Sequence, residues 1–146
     1  MNKVIGYTTG VYDMFHVGHL NLLRNARQKC DRLIVGVSTD ELVLEYKSKK
    51  PVIPFRDRED IVKSIRFVDE VRPQVSRDKY QQFLDIHYDV LFVGDDWKDS
   101  EIFSALEKKL DKHGAKVVYL PYTRSVSSTK LGSVLQNIYN EERSLQ

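Results

Sequence analysis

Cysteine is almost missing from this chain. Cys30 is the only one in 146 residues, so no internal disulfide can form and no Cys-x-x-Cys pair offers a zinc site. A reducing compartment is expected. Net charge is small as well: 23 Lys and Arg against 21 Asp and Glu leave a formal +2. That is too little to make electrostatic nucleic-acid binding the default. No apolar run approaches the roughly 20 residues of a membrane-spanning helix, and the opening MNKVIGYTTGVYD lacks the apolar stretch of a signal peptide. Against these absences stand a 41% hydrophobic fraction, six Phe and eight Tyr, which argue against disorder. The length suits one domain over residues 1–146 that buries a core without disulfide or metal. A cytoplasmic, soluble protein is the expectation.

The apolar pattern says more. Val4–Tyr7, Leu33–Val37, Val90–Val93 and Lys116–Leu120 are nearly continuous apolar runs, as strands covered on both faces are. Val71–Val75 adds a fifth, short or at an edge because of Pro73. Helical spacing appears between them: Val17–Cys30, Arg58–Arg66 with Ile61, Ile65 and Val68 on one face, Lys79–His87, Ser100–Lys112, and a last helix from Ser127. Strands alternating with helices mean βαβ units and a parallel α/β sheet. Ligands bind beyond the carboxyl ends of such strands, at Thr8–His19, Gly94–Trp97 and Pro121–Thr129. Tyr46–Phe55, with three lysines and two prolines, reads as a mobile loop.

The string Gly10-Val11-Tyr12-Asp13-Met14-Phe15-His16-Val17-Gly18-His19 carries the first chemistry. A strand enters a glycine turn and then a helix whose first turn holds two histidines three apart. Residues i and i+3 share a helix face, and the helix N-terminus adds unpaired N–H groups and positive dipole. Together these suit a phosphate. Zinc would need further ligands, and two histidines serving packing alone is the plain alternative.

The whole string resembles the HxGH signature of the nucleotidyltransferases, in the form found in the glycerol-3-phosphate cytidylyltransferase family. Ser38-Thr39-Asp40-Glu41, Arg66-Phe67-Val68-Asp69-Glu70-Val71, Gly94-Asp95-Asp96-Trp97 and Ser127-Ser128-Thr129-Lys130 continue the likeness in order, over roughly residues 3–135. The resemblance implies a Rossmann-like doubly wound sheet of about five strands, with a catalytic core of about 3–135 and a short tail. It implies attack of an acceptor phosphate on the α-phosphate of CTP, with pyrophosphate leaving. His16 and His19 would donate to phosphate oxygens, and Gly10, Val11, Tyr12, Asp13 and Gly18 would bring backbone to the nucleotide. Asp13 is a candidate for orienting the histidines.

In the same light Lys47 matches an acceptor-contacting lysine and Lys49 a nucleotide-contacting one, both with catalytic roles. Arg66 and Lys79 match acceptor-binding positions, Arg66 at a dimer interface. Asp95, Trp97, Tyr122, Thr123, Arg124, Ser127, Ser128 and Thr129 complete the expected nucleotide contacts. Mg²⁺ is expected with the triphosphate; its protein ligands are unassigned. A homodimer, CTP and a small phosphorylated alcohol are the implied partners, with no nucleic acid and no membrane span. The chain departs from the family pattern at four places: Tyr122 stands where an arginine meets the triphosphate, Arg124 stands at a glutamate position, Ser125 replaces glycine, and Val11 replaces a threonine. Arg124, two residues along from Tyr122, is the expected substitute cation. Related HxGH enzymes use ATP with a sugar phosphate, phosphoethanolamine or a flavin, and a non-catalytic nucleotide-binding module is the rival from another class.

Overall fold

The computed structural model describes residues 3–121, 123 and 128–144. Its elements alternate as expected: β1 (Ile5–Gly10), α1 (Val17–Arg27), β2 (Arg32–Ser38), α2 (Asp40–Lys47), α3 (Phe55–Lys63), β3 (Glu70–Gln74), α4 (Lys79–Ile86), β4 (Val90–Gly94), α5 (Glu101–Asp111), β5 (Lys116–Leu120) and α6 (Ser128–Ser144). Side-chain oxygens open three of the helices. Thr39 caps α2, Asp78 caps α4 and Ser100 caps α5, each accepting a backbone N–H that the first turn leaves unpaired.

The strands form one five-stranded sheet in the order β3-β2-β1-β4-β5, and every recorded pairing is parallel. Both faces are covered, which explains the continuous apolar strands. On one face Leu23 and Ala26 of α1 and Val62 of α3 pack against Leu33, Val35, Val37 and Phe92. On the other, Phe83 of α4 and Phe103, Leu106 and Leu110 of α5 pack against Tyr7, Ile34 and Leu91. Chain order runs outward from β1 in both directions, so the sheet reverses between β1 and β4. A crevice opens there, at the carboxyl ends.

Pro73 does sit in an edge strand, where its missing N–H costs no ladder bond. Two expectations need correction, and the last helix adds a finding of its own. Residues 40–47 form a helix, so Lys47 stands on the last turn of α2 rather than in a loop. On α3 the buried residues are Arg58 and Val62, while Ile61 is 42% exposed: the guanidinium finds enough partners to be buried, and this turns the helix by one position. The last helix buries no residue within this chain, and Val134, Leu135, Ile138 and Tyr139 are exposed.

Candidate active site

His16 and His19 form the centre of the site by capping their own helix. His16 is the N-cap of α1, in extended backbone, and its Nδ1 accepts from the Gly18 N–H at 3.0 Å. His19 reaches back, and its Nδ1 accepts from the His16 N–H at 3.2 Å. This is a capping box built from two imidazoles instead of a hydroxyl and a carboxylate. It fixes both tautomers. A ring nitrogen that accepts a hydrogen bond carries no proton, so each neutral ring carries its proton on Nε2. The rings stack with centroids 3.9 Å apart. Burial, then the neighbouring His16, pushes the His19 pKa down to about 4, against a lesser upward pull from Asp13; burial lowers that of His16 too. Both rings therefore stay neutral at pH 7 as paired Nε2–H donors. The His16 Nε2 is buried with no partner among the described residues, which leaves a donor waiting for a ligand.

The glycine of the motif follows from this cap. A Cβ on Gly18 would lie 2.8 Å from His16 Cε1, so any side chain there would displace the ring. Upstream, Tyr12 and Met14 adopt positive φ of 55° and 48° without being glycine, a cost that surrounding contacts must hold in place. Tyr12 is held by its ring, which is buried in the core, 6.3 Å from the Phe15 ring and edge-on to His19 at 5.3 Å.

A cleft of about 760 Å³ lies over this turn. Gly10, Val11, Tyr12, Asp13, His16, Gly18, His19, Lys47, Lys49, Trp97, Thr123, Ser128 and Thr129 all line it. The carboxyl ends of the strands and the starts of α1 and α6 thus bring together most of the expected contacts. Tyr12 contributes backbone only, since its ring belongs to the core. Trp97, 41% exposed, ends the single 3₁₀ turn that follows β4. Asp95, in the same turn, stands outside the cleft wall with Oδ1 buried and unpartnered among the described residues. Arg66 is also outside; it lies over the Phe67 ring at 5.1 Å. Tyr122, Arg124 and Ser127 lie outside the described residues.

Asp13 does not orient the histidines through hydrogen bonds. Its two carboxylate oxygens are taken by the backbone N–H groups of Val52 and Ile53, at 2.8 and 2.9 Å. The histidine turn therefore holds the lysine segment directly. Ser128 Oγ donates to the Asp13 carbonyl and adds α6 to the same point. Arg58 was legible only as a helix cation, yet it is fully buried. Its guanidinium donates to the carbonyls of Ile53, Val11 and Ser38 and to Asp40 Oδ1, all between 2.7 and 2.8 Å. One side chain thus joins the ends of β1 and β2, the start of α2 and the lysine segment.

A second cavity of about 480 Å³ opens on the α4–α5 side of the crevice. It shares Thr9, Gly10, Val11, Lys47 and Trp97 with the first. Lys79 lines this second cavity and not the first. Its Nζ donates to Gln74 Oε1 at 2.6 Å, and burial first, then Arg77, brings its pKa down to about 8.

A parallel sheet with its cleft at the strand-order reversal, two Nε2–H donors at a helix N-terminus and lysines in the cleft wall defines an α/β domain that handles phosphate esters. Residues 7–133 match the family model described as Cytidylyltransferase-like. The chain belongs to that cytidylyltransferase-like family and is a nucleotidyltransferase. It is 42% identical over 134 residues to the glycerol-3-phosphate cytidylyltransferase of Bacillus subtilis strain 168, covering 90% of this chain and 95% of that one. It is 36% identical over 146 residues to the protein of that name from Staphylococcus aureus, covering 97% and 98%. An FAD synthase of Thermococcus kodakarensis is 34% identical over 134 residues, covering 88% and 87%. Among solved structures, a lipopolysaccharide core biosynthesis protein from Thermoplasma volcanium superimposes with a TM-score of 0.70 at 23% identity, over 86% of this chain and 100% of that one. That last likeness speaks to the fold. No helix among the described residues is long and apolar enough to cross a membrane.

Proposed function

We propose that the protein transfers a cytidylyl group from CTP to glycerol 3-phosphate or a similar small phosphorylated alcohol, forming CDP-glycerol or its analogue and pyrophosphate. The relatives named glycerol-3-phosphate cytidylyltransferase, matched over nearly their whole length, support the substrate pair. The observation that carries the chemistry is the unpartnered His16 Nε2 beside its His19 counterpart in the cleft wall. An oxygen of the acceptor phosphate attacks the α-phosphorus of CTP, and the bond to the β-phosphate breaks. Charge builds on the equatorial oxygens. Two preorganised Nε2–H donors and the α1 N-terminus meet it, and no protein nucleophile is required. Lys47 lines both cavities and so stands where two polyanions would touch. Lys49 lies on the nucleotide side.

Mg²⁺ would accompany the triphosphate. No cluster of three or more His, Cys, Asp or Glu among the described residues could hold a metal, and both Asp13 oxygens are taken by backbone donors. The described residues build no protein cage for it, and phosphate oxygens and water would be its ligands. A second copy of the chain would bring Arg66 to the acceptor, since within one chain it reaches neither cavity. A cytoplasmic location fits this chemistry.

Mass detection of CDP-glycerol from CTP and glycerol 3-phosphate tests the reading. His16→Ala should lower kcat about 10²–10³-fold, the usual cost of one transition-state donor. Retained turnover in that variant, or turnover with ATP alone, rejects it.

A further inference from the structure

The second cavity carries more positive charge than one phosphate needs. Its walls hold Lys47, Arg77, Lys79 and Lys109 against a single carboxylate, Asp78. That carboxylate is engaged as the cap of α4, accepting from the Gln81 N–H at 3.0 Å. Neither Arg77 nor Lys79 makes an ion pair among the described residues. The Arg77 guanidinium lies over the Tyr46 ring at 4.5 Å. Lys79, desolvated, spends its donors on the neutral Gln74 amide and, at 3.4 Å, the Arg77 carbonyl. Arg77 and Lys79 are adjacent like charges with one carboxylate, Asp78, beside them, so the cavity keeps an excess of positive charge that an anionic guest would offset.

Position separates their role from that of Lys47. Lys47 is the cation common to both cavities, whereas Arg77, Lys79 and Lys109 line the second alone. The attacking phosphate must sit at the junction to reach CTP. The volume is also that of a larger ligand than three carbons and one phosphate.

We propose that the acceptor is a phosphorylated alcohol bearing a second anionic group, a carboxylate or another phosphate, with its attacking phosphate at Lys47 and the second anion on Arg77 and Lys79. This rests on the cytidylyl-transfer reading above and narrows its acceptor. The reaction is unchanged: one acceptor phosphate oxygen bonds to the α-phosphorus of CTP and pyrophosphate leaves, while the second anion only binds.

The test compares kcat/KM for glycerol 3-phosphate, 3-phosphoglycerate (carboxylate arm), glycerol 1,3-bisphosphate (phosphate arm) and riboflavin phosphate (an extended uncharged body), at saturating CTP. The expected result is at least a tenfold preference for one doubly anionic acceptor over glycerol 3-phosphate, residing in KM. Arg77→Gln should bring that ratio down to near one; Arg77 is exposed, and an unchanged Tm confirms that the variant folds. A smaller preference, a best rate with riboflavin phosphate, or a ratio that survives Arg77→Gln overturns the proposal while leaving cytidylyl transfer intact. No CDP product with any acceptor rejects cytidylyl transfer itself.

Discussion

The backbone N–H of Ile53 donates to Asp13 Oδ1 at 2.9 Å, and the neighbouring Val52 N–H donates to Oδ2 at 2.8 Å. The segment carrying Lys49 and Lys50 is thereby tied to the turn that carries His16 and His19. The proposed phosphate-binding side chains come from two distant parts of the chain, and a single carboxylate spans the segments that carry them.

Removing that tie should cost rate more than stability. Asp13→Ala frees an exposed segment but opens no core cavity. Since displacement of positioning groups by about 1 Å costs on the order of 10²-fold, a fall in kcat of that size is expected. Trypsin should also cut faster after Lys49, whereas the Lys50–Pro51 bond resists it in either protein. Steady-state kinetics and timed digestion check both; unchanged digestion would mean that Asp13 does not hold the segment.

Arg58→Met should act in the opposite sense, chiefly on stability. The substitution strands Asp40 and three carbonyls around a site that is 0% exposed. Breaking a buried pair from one side costs about 3–5 kcal/mol, so a drop in Tm of many degrees is expected in thermal unfolding.

The pKa of His19 makes a signed prediction. Its folded value, about 4, lies below the unfolded value near 6.5, so between these limits the unfolded chain binds more protons. Stability is then fully present above pH 6.5 and is lost as pH falls toward 4, by on the order of 3 kcal/mol from this group. Denaturant unfolding at both pH values should show the loss, and His19→Asn should show much less of it.

Lys79 should govern the alkaline side. With its pKa near 8 in the free protein, acceptor kcat/KM should fall above that pH as the ammonium loses its charge. Lys79→Arg should move the limb to higher pH, because guanidinium does not titrate there. An unmoved limb would assign it to another group.

Most of the fold was readable from pattern. The four apolar runs, the α5 span and the edge character of β3 follow from burial on two faces and from one proline. Helix α2 was missed because Asp40–Lys47 is short and half charged, with only Leu42 and Val43 buried. The histidines were legible from their spacing, but their tautomers were not, since these depend on which ring nitrogen meets which backbone N–H. Arg58 gave no signal beyond its place on a helix. A buried cation is recognised by its partners, and these come from residues 11, 38, 40 and 53.

The amino-acid sequence by itself determined the parallel α/β class, the crevice end of the sheet and the two-histidine turn at a helix start, because periodicity and helix N-termini are local properties of the chain. Tertiary structure alone decided that Asp13 serves the lysine segment, that Arg58 is the internal clamp, and that Lys47, Arg77, Lys79 and Lys109 share a cavity with a single carboxylate, Asp78. Each of these depends on side chains that folding brings together from separate parts of the chain, and hydrogen bonds gain their energies as folding removes the water between their partners.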